Sequence, residues 1–145
     1  MTDLYAALLG WAIHLTGYPP PTIPPEVVPV PHQFFVDHAC GGRECKVFGW
    51  YAGGRRLYID DRMDPQYSTL AASVVVHEMV HYLQAVERGD DKLAPGVAFG
   101  KVPTCQQALA WELEAYAAQR AFIYHSGEYL PVGISILTAG CEASP

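Results

Sequence analysis

The stretch Val74-Val75-Val76-His77-Glu78-Met79-Val80-His81-Tyr82-Leu83-Gln84 sets two histidines and a glutamate inside an apolar run. Burying such groups is costly unless each finds a partner, so the surrounding fold must supply partners as well as apolar cover. The run has helix signals at both ends: Ser68 or Thr69 can cap its start, and Gly89 can take the left-handed position past its end. Three consecutive valines are weak helix formers, so burial rather than propensity has to hold this helix. Residues four apart share a helix face, which lets His77 and His81 grip one metal ion. Two neutral imidazoles suit Zn²⁺, and a third protein ligand leaves a fourth position for water. Glu78 then projects beside the metal, where a carboxylate can take a proton from the activated water. The competing reading is a pair of core histidines satisfied by hydrogen bonds.

A second helix is expected downstream. Thr104 with Gln107 three residues later makes a capping box, and Gly127 supplies the stop after about His125. It carries Glu112 and Glu114. Successive helical residues turn by roughly 100°, so these two carboxylates point to nearly opposite sides and one alone can meet the histidine pair. Glu112 shares a face with Ala108, Leu109, Ala115, Tyr116 and Gln119, and Glu114 shares one with Ala110, Trp111, Ala117, Ala118 and Ala121. Both faces can pack, and periodicity does not choose between them.

His77-Glu78-Met79-Val80-His81-Tyr82-Leu83-Gln84 resembles the signature of the zincin metallopeptidases, and in particular small gluzincins, whose third ligand is a downstream glutamate. The likeness spans residues from about 40 to 130. Glu112-Leu113-Glu114-Ala115-Tyr116 looks like the Glu-x-x-Ala-Asp of several gluzincin groups, which implies Glu112 as the third zinc ligand. Tyr116 stands where those groups often carry an Asp that hydrogen-bonds a ligating histidine. A different gluzincin pattern, Glu-Gly-Phe-Ala, matches Glu114-Ala115-Tyr116-Ala117 and keeps Glu114 as the alternative. The resemblance also implies that a strand just before the metal helix, here Leu57 to Ile59, aligns a peptide substrate.

Composition narrows the class. The chain has 145 residues, half of them hydrophobic, with 9 basic and 15 acidic residues and a formal net charge of −6. That is enough for one domain with a real core, and the absence of a basic cluster argues against nucleic acid as a partner. No apolar run reaches transmembrane length. Four cysteines, Cys40, Cys45, Cys105 and Cys141, allow three full pairings. Cys40–Cys45 and Cys105–Cys141 are the expected pair of disulfides, which would place the protein in the periplasm or outside the cell. Residues 1–16 lack the pattern of a secretory leader, so export would require one that this sequence does not show. The alternative is four reduced thiols in the cytoplasm.

The rest of the chain reads in order. Residues 1–17 form an N-terminal helix with Thr2 as cap, Gly17 as stop and a stripe of Leu4, Tyr5, Leu8, Trp11, Ala12 and Leu15. Residues 18–31 hold seven prolines and read as an extended strap, with Glu26-Val27-Val28 able to pair as an edge strand. A sharper possibility is that this strap plugs the active-site cleft. Phe34, Phe35 and His38 suit a short helix. His14, His32 and His38 read as helix-end, surface or packing residues. Residues 46–60 read as a hairpin about a two-residue Gly53-Gly54 turn. Residues 90–101 read as a loop able to border the cleft, and the apolar tail from Tyr129 to Leu137 as a short packed helix.

The expected fold is therefore α+β: a compact, minimal zincin-like domain over 1–145, with a small sheet packed on two central helices that carry the metal site. The expected function is a zinc-dependent peptide hydrolase, with His77, His81 and Glu112 holding Zn²⁺ and Glu78 as general base. The partner is a peptide or protein substrate. An oxyanion-stabilising donor is expected from Tyr116, Tyr124 or His125. The runner-up is a zincin-fold binding or regulatory module that holds metal without turnover.

Overall fold

The computed structural model describes residues 2–92 and 103–141. Its elements are helix α1 (Asp3–Thr16), strand β1 (Glu26–Val30), helix α2 (His32–His38), strands β2 (Gly49–Trp50) and β3 (Arg56–Asp60), helix α3 (Thr69–Arg88) and helix α4 (Cys105–His125). Short 3-10 turns follow α3 at Asp90–Lys92 and close the described chain at Ile134–Thr138. This is the α+β architecture expected, a small sheet on helices.

The caps fall where the side chains invite them. The Thr2 hydroxyl accepts from the Tyr5 amide, Ser68 accepts from Ala71, and Thr104 and Gln107 form a reciprocal capping box. Gly17 and Gly89 close α1 and α3 with φ of 80°, a left-handed conformation that an L side chain resists. α3 is the axis of the molecule. Val75, Val76, Met79, Val80, Leu83 and Ala85 are buried around most of its circumference, which offsets the low helix propensity of its valines. Leu8, Leu9 and Ala12 of α1, Leu57 and Ile59 of β3, and Ala115, Ala118, Phe122 and Ile123 of α4 complete one continuous core.

The sheet departs from the sequence reading in two respects. Its order is β1-β3-β2, with β1 parallel and β2 antiparallel to β3. The Pro-rich strap thus contributes a full five-residue edge strand, and Pro29 is tolerated there because an edge has one side free of ladder bonds. β3 is consequently the central strand, paired on both sides. Leu57 to Ile59 cannot be the edge that aligns a peptide. The outer strand on the other side is β2. The hairpin itself is offset: Trp50 pairs with Tyr58, whereas a two-residue turn at Gly53-Gly54 would pair it with Leu57. The extra residue keeps Leu57 and Ile59 facing the core, at 0% and 2% exposure, because one slip would turn both outward.

Both expected disulfides are present. Cys40 pairs with Cys45, and Cys105 pairs with Cys141, 36 residues away. The second ties the start of α4 to the C-terminal segment. That segment is not the packed helix expected of it. Ile134 and Leu137 are exposed, the 3-10 turn buries no residue, and its anchors are the disulfide and the preceding Leu130 and Val132 on the core. The expected loop at 90–101 begins with the turn at Asp90–Lys92, and its remainder lies outside the described residues. No helix among the described residues is long and apolar enough to cross a membrane.

Candidate metal centre

α3 and α4 pack antiparallel, so that His77 meets Gln119 and Gln84 meets Trp111. Between them, at the middle of α3, His77, Glu78 and His81 form a cluster able to hold a metal ion, their ligand atoms within 4.8 Å of one another. His77 and Glu78 are buried and His81 is half-buried. The two Nε2 atoms face each other at 3.2 Å. Glu112 reaches the same point from α4. One of its carboxylate oxygens is 3.4 Å from His77 Nε2 and in direct contact with His81 Nε2. Glu78 Oε2 stands slightly back, 3.9 Å from His77 Nε2.

Glu114 is elsewhere. Its carboxylate accepts from the Tyr18 hydroxyl at 2.7 Å and from the Gln84 amide at 2.9 Å. The two glutamates therefore divide as helix geometry requires, and the one that meets the histidines is Glu112.

The outer nitrogens of both imidazoles are engaged. His77 Nδ1 lies 3.0 Å from Gln119 Oε1, and His81 Nδ1 lies 2.9 Å from Gln84 Oε1. Gln119 is the residue that sequence reasoning missed. It shares a face with Glu112 two turns further along α4, and that shared face was the available signal. Tyr116, at the position where an Asp partner would stand, instead sets its ring edge-on to His77 with centroids 4.4 Å apart. Gly133 makes room for this ring: a Cβ there would lie 2.3 Å from Tyr116 Cδ1.

Burial opposes a charge on Glu112, but its bonds to His77 and His81 outweigh it and hold the carboxyl well below the usual range. Burial likewise disfavours a charged His81, and the contact with Glu112 together with the field of Glu78 overrides it, raising that imidazole's pKa. Two of the three donor spacings suit zinc. Four-coordinate zinc with ligands at about 2.0–2.1 Å spaces neighbouring ligand atoms roughly 3.3–3.4 Å apart. The 3.2 Å between imidazoles and the 3.4 Å from His77 to Glu112 lie near that spacing, while Glu112 and His81 Nε2 stand closer together than it.

The cluster floors a cleft of about 890 Å³. One wall is the continuous segment 46–53, which includes β2; the other is α4 with Val132 and Gly133. β2 comes very close to α3. A Cβ on Gly49 would stand 2.7 Å from Val74 Cγ1 and 3.1 Å from Glu78 Cγ. Leu70, Val74, His77, Glu78 and His81 follow one face of α3 along the cleft floor, and Arg88 lies at its far end over the Trp111 ring. No residue of 18–31 lines the cleft, so the strap does not plug it. The strap runs behind the site, where Tyr18 donates to Glu114 and Ile23 accepts from Tyr82. Of the three expected oxyanion donors, Tyr116 lines the cleft, while Tyr124 and His125 line a separate depression beside Tyr129. His14 and His38 pack on Trp11 and Phe34. His32 bridges Asp60 and Glu44.

Comparison with protein-family models, with curated proteins and with solved structures finds no match to this chain.

Proposed function

We propose that this protein is a zinc-dependent peptide hydrolase of the zincin type, acting in the periplasm or outside the cell. The observation that carries the reading is the convergence of His77 Nε2, His81 Nε2 and a Glu112 oxygen on one point of the cleft floor, with Glu78 beside it. In this reading His77, His81 and Glu112 hold zinc. Bound there, zinc would lower the pKa of a water and polarise a carbonyl. Glu78 accepts the proton and passes it to the leaving amine. Tyr116 supports this chemistry from the cleft wall. Burial and the carboxylates of Glu112 and Glu78 raise its pKa, so its phenol stays a hydrogen-bond donor. An extended peptide is the fitting substrate because β2, the outer strand of the sheet, lines the cleft and can offer main-chain groups to it. Two disulfides suggest an oxidising compartment.

A second reading rests on Glu78 itself. Its carboxylate belongs to the same close set of ligand groups as the histidines. Were it a fourth ligand, the site would be closed and structural, and the domain a binding module without turnover.

Glu78→Gln separates the two. The zinc-loaded wild type, incubated with a peptide library, should cleave internal bonds. The variant should keep its zinc and lose about 10²-fold or more of the cleavage rate. Loss of zinc on Glu78→Gln, or a folded zinc-loaded wild type that cleaves nothing, would favour the second reading.

A further inference from the structure

We infer that Gln84 and Gln119 are positioning residues of the metal centre, fixing both imidazoles in the tautomer that presents Nε2 to the metal. The inference rests on the metal reading above and adds the mechanism by which this chain prepares the site. Each glutamine is buried, at 3% and 4% exposure, and neither amide can turn round. Gln119 Nε2 donates to Ser73 Oγ at 3.1 Å, and Ser73 in turn donates to the Leu70 carbonyl at 2.6 Å, so the serine has only lone pairs to offer the amide. Gln84 Nε2 donates to the Trp111 carbonyl at 3.0 Å and to Glu114 at 2.9 Å, both acceptors alone. Each Oε1 is thereby forced toward a histidine. An amide oxygen can only accept, so Nδ1 of His77 and of His81 must carry the hydrogen. The lone pairs then sit on the two Nε2 atoms, 3.2 Å apart and aimed at one point.

Histidine ligands are commonly backed by a carboxylate, a backbone carbonyl or water. Here both partners are neutral side-chain amides. They orient the ring without adding negative charge beside it. The two arms are unequal. Gln84 is backed by the carboxylate of Glu114, which ties His81 through Gln84 and Glu114 to Tyr18 in the strap. Gln119 is backed by a serine hydroxyl.

The test is zinc affinity, measured by competition with a chromogenic chelator, on folded wild type, Gln119→Leu and Gln119→Glu. Removing the acceptor in Gln119→Leu should weaken zinc binding about 10–100-fold. Gln119→Glu restores an acceptor at the same place and should bind at least as tightly as wild type. A Gln119→Leu protein with wild-type affinity, or a Gln119→Glu protein as weak as the leucine variant, overturns the positioning role. A wild type that takes up no zinc overturns the metal reading itself, and is distinguished because no variant then differs from it.

Discussion

At the scale of single residues, the same side-chain chemistry serves three purposes according to its surroundings. Glu112 meets two imidazoles that lower its pKa, Glu114 anchors an amide and a phenol, and Glu78 stands 3.9 Å from His77 Nε2. His32 shows a fourth arrangement, remote from the cleft floor. Its ring bridges the exposed Glu44 and the fully buried Asp60, whose carboxylate also receives the backbone N–H and guanidinium of Arg62. The bond to Glu44, with that to Asp60, raises the pKa of His32 against the effect of desolvation, and Arg62 above all lowers that of Asp60. A raised histidine pKa stabilises the fold fully below the unfolded value of 6.5 and loses that contribution as pH climbs through the folded value. A lowered aspartate pKa acts in the opposite sense, contributing above the unfolded carboxylate value and failing as pH falls through the folded one. The cluster is thus most favourable between these limits, in mildly acid solution. Urea melts of wild type and His32→Ala across pH 5 to 9 should show the variant's deficit greatest near the acid end and shrinking above neutrality. A deficit that is independent of pH would mean the ring acts by packing alone.

At the scale of elements, the decisive contact is β2 against α3. A strand of two residues is too short to hold itself in place, and Gly49 is what lets it lie on Val74 and Glu78. In Gly49→Ala the new methyl has to displace Val74 Cγ1, a half-buried β-branched side chain on the cleft floor. The expected cost is about 1–3 kcal/mol of stability, the range for overpacking, and, on the proposed function, slower peptide cleavage as the wall moves off the cleft floor. Adding Val74→Ala should return part of the stability, which a double-mutant cycle by chemical denaturation would measure. Strict additivity of the two substitutions would contradict the contact. Elements of this kind also mark the limit of sequence reading. The helix α3 with its histidine pair, its Ser68 cap and its Gly89 stop are local patterns, and all were visible. β2 was visible as the first arm of the 46–60 hairpin, but its two-residue length, its offset register and its seat on α3 were not, because these are set by contacts distant in sequence. The parallel pairing of β1 with β3 joins residues 30 apart in sequence, and no local signal reports it. Periodicity likewise did not show which of Glu112 and Glu114 faces the histidines, and only the resemblance favoured Glu112. The choice is settled by Tyr18, 96 residues from Glu114, and by Gln84, 30 residues away.

For the whole molecule, the structure reads as a scaffold around one polar seam. α1, α3, α4 and β3 share a single apolar core, and the histidine pair, Glu78, Gln84, Gln119 and Ser73 cross it where α3 meets α4. Among the described residues no buried side-chain nitrogen or oxygen lacks a hydrogen-bond partner. The most direct measurement is the metal content of the folded protein after zinc reconstitution, by plasma mass spectrometry, for wild type, Glu112→Ala and Glu114→Ala. The account predicts about one zinc per chain in the wild type, its loss in Glu112→Ala, and its retention, with weakened affinity, in Glu114→Ala. A folded wild type that holds no zinc, or one that loses it through Glu114 and not Glu112, would contradict the assignment of the site.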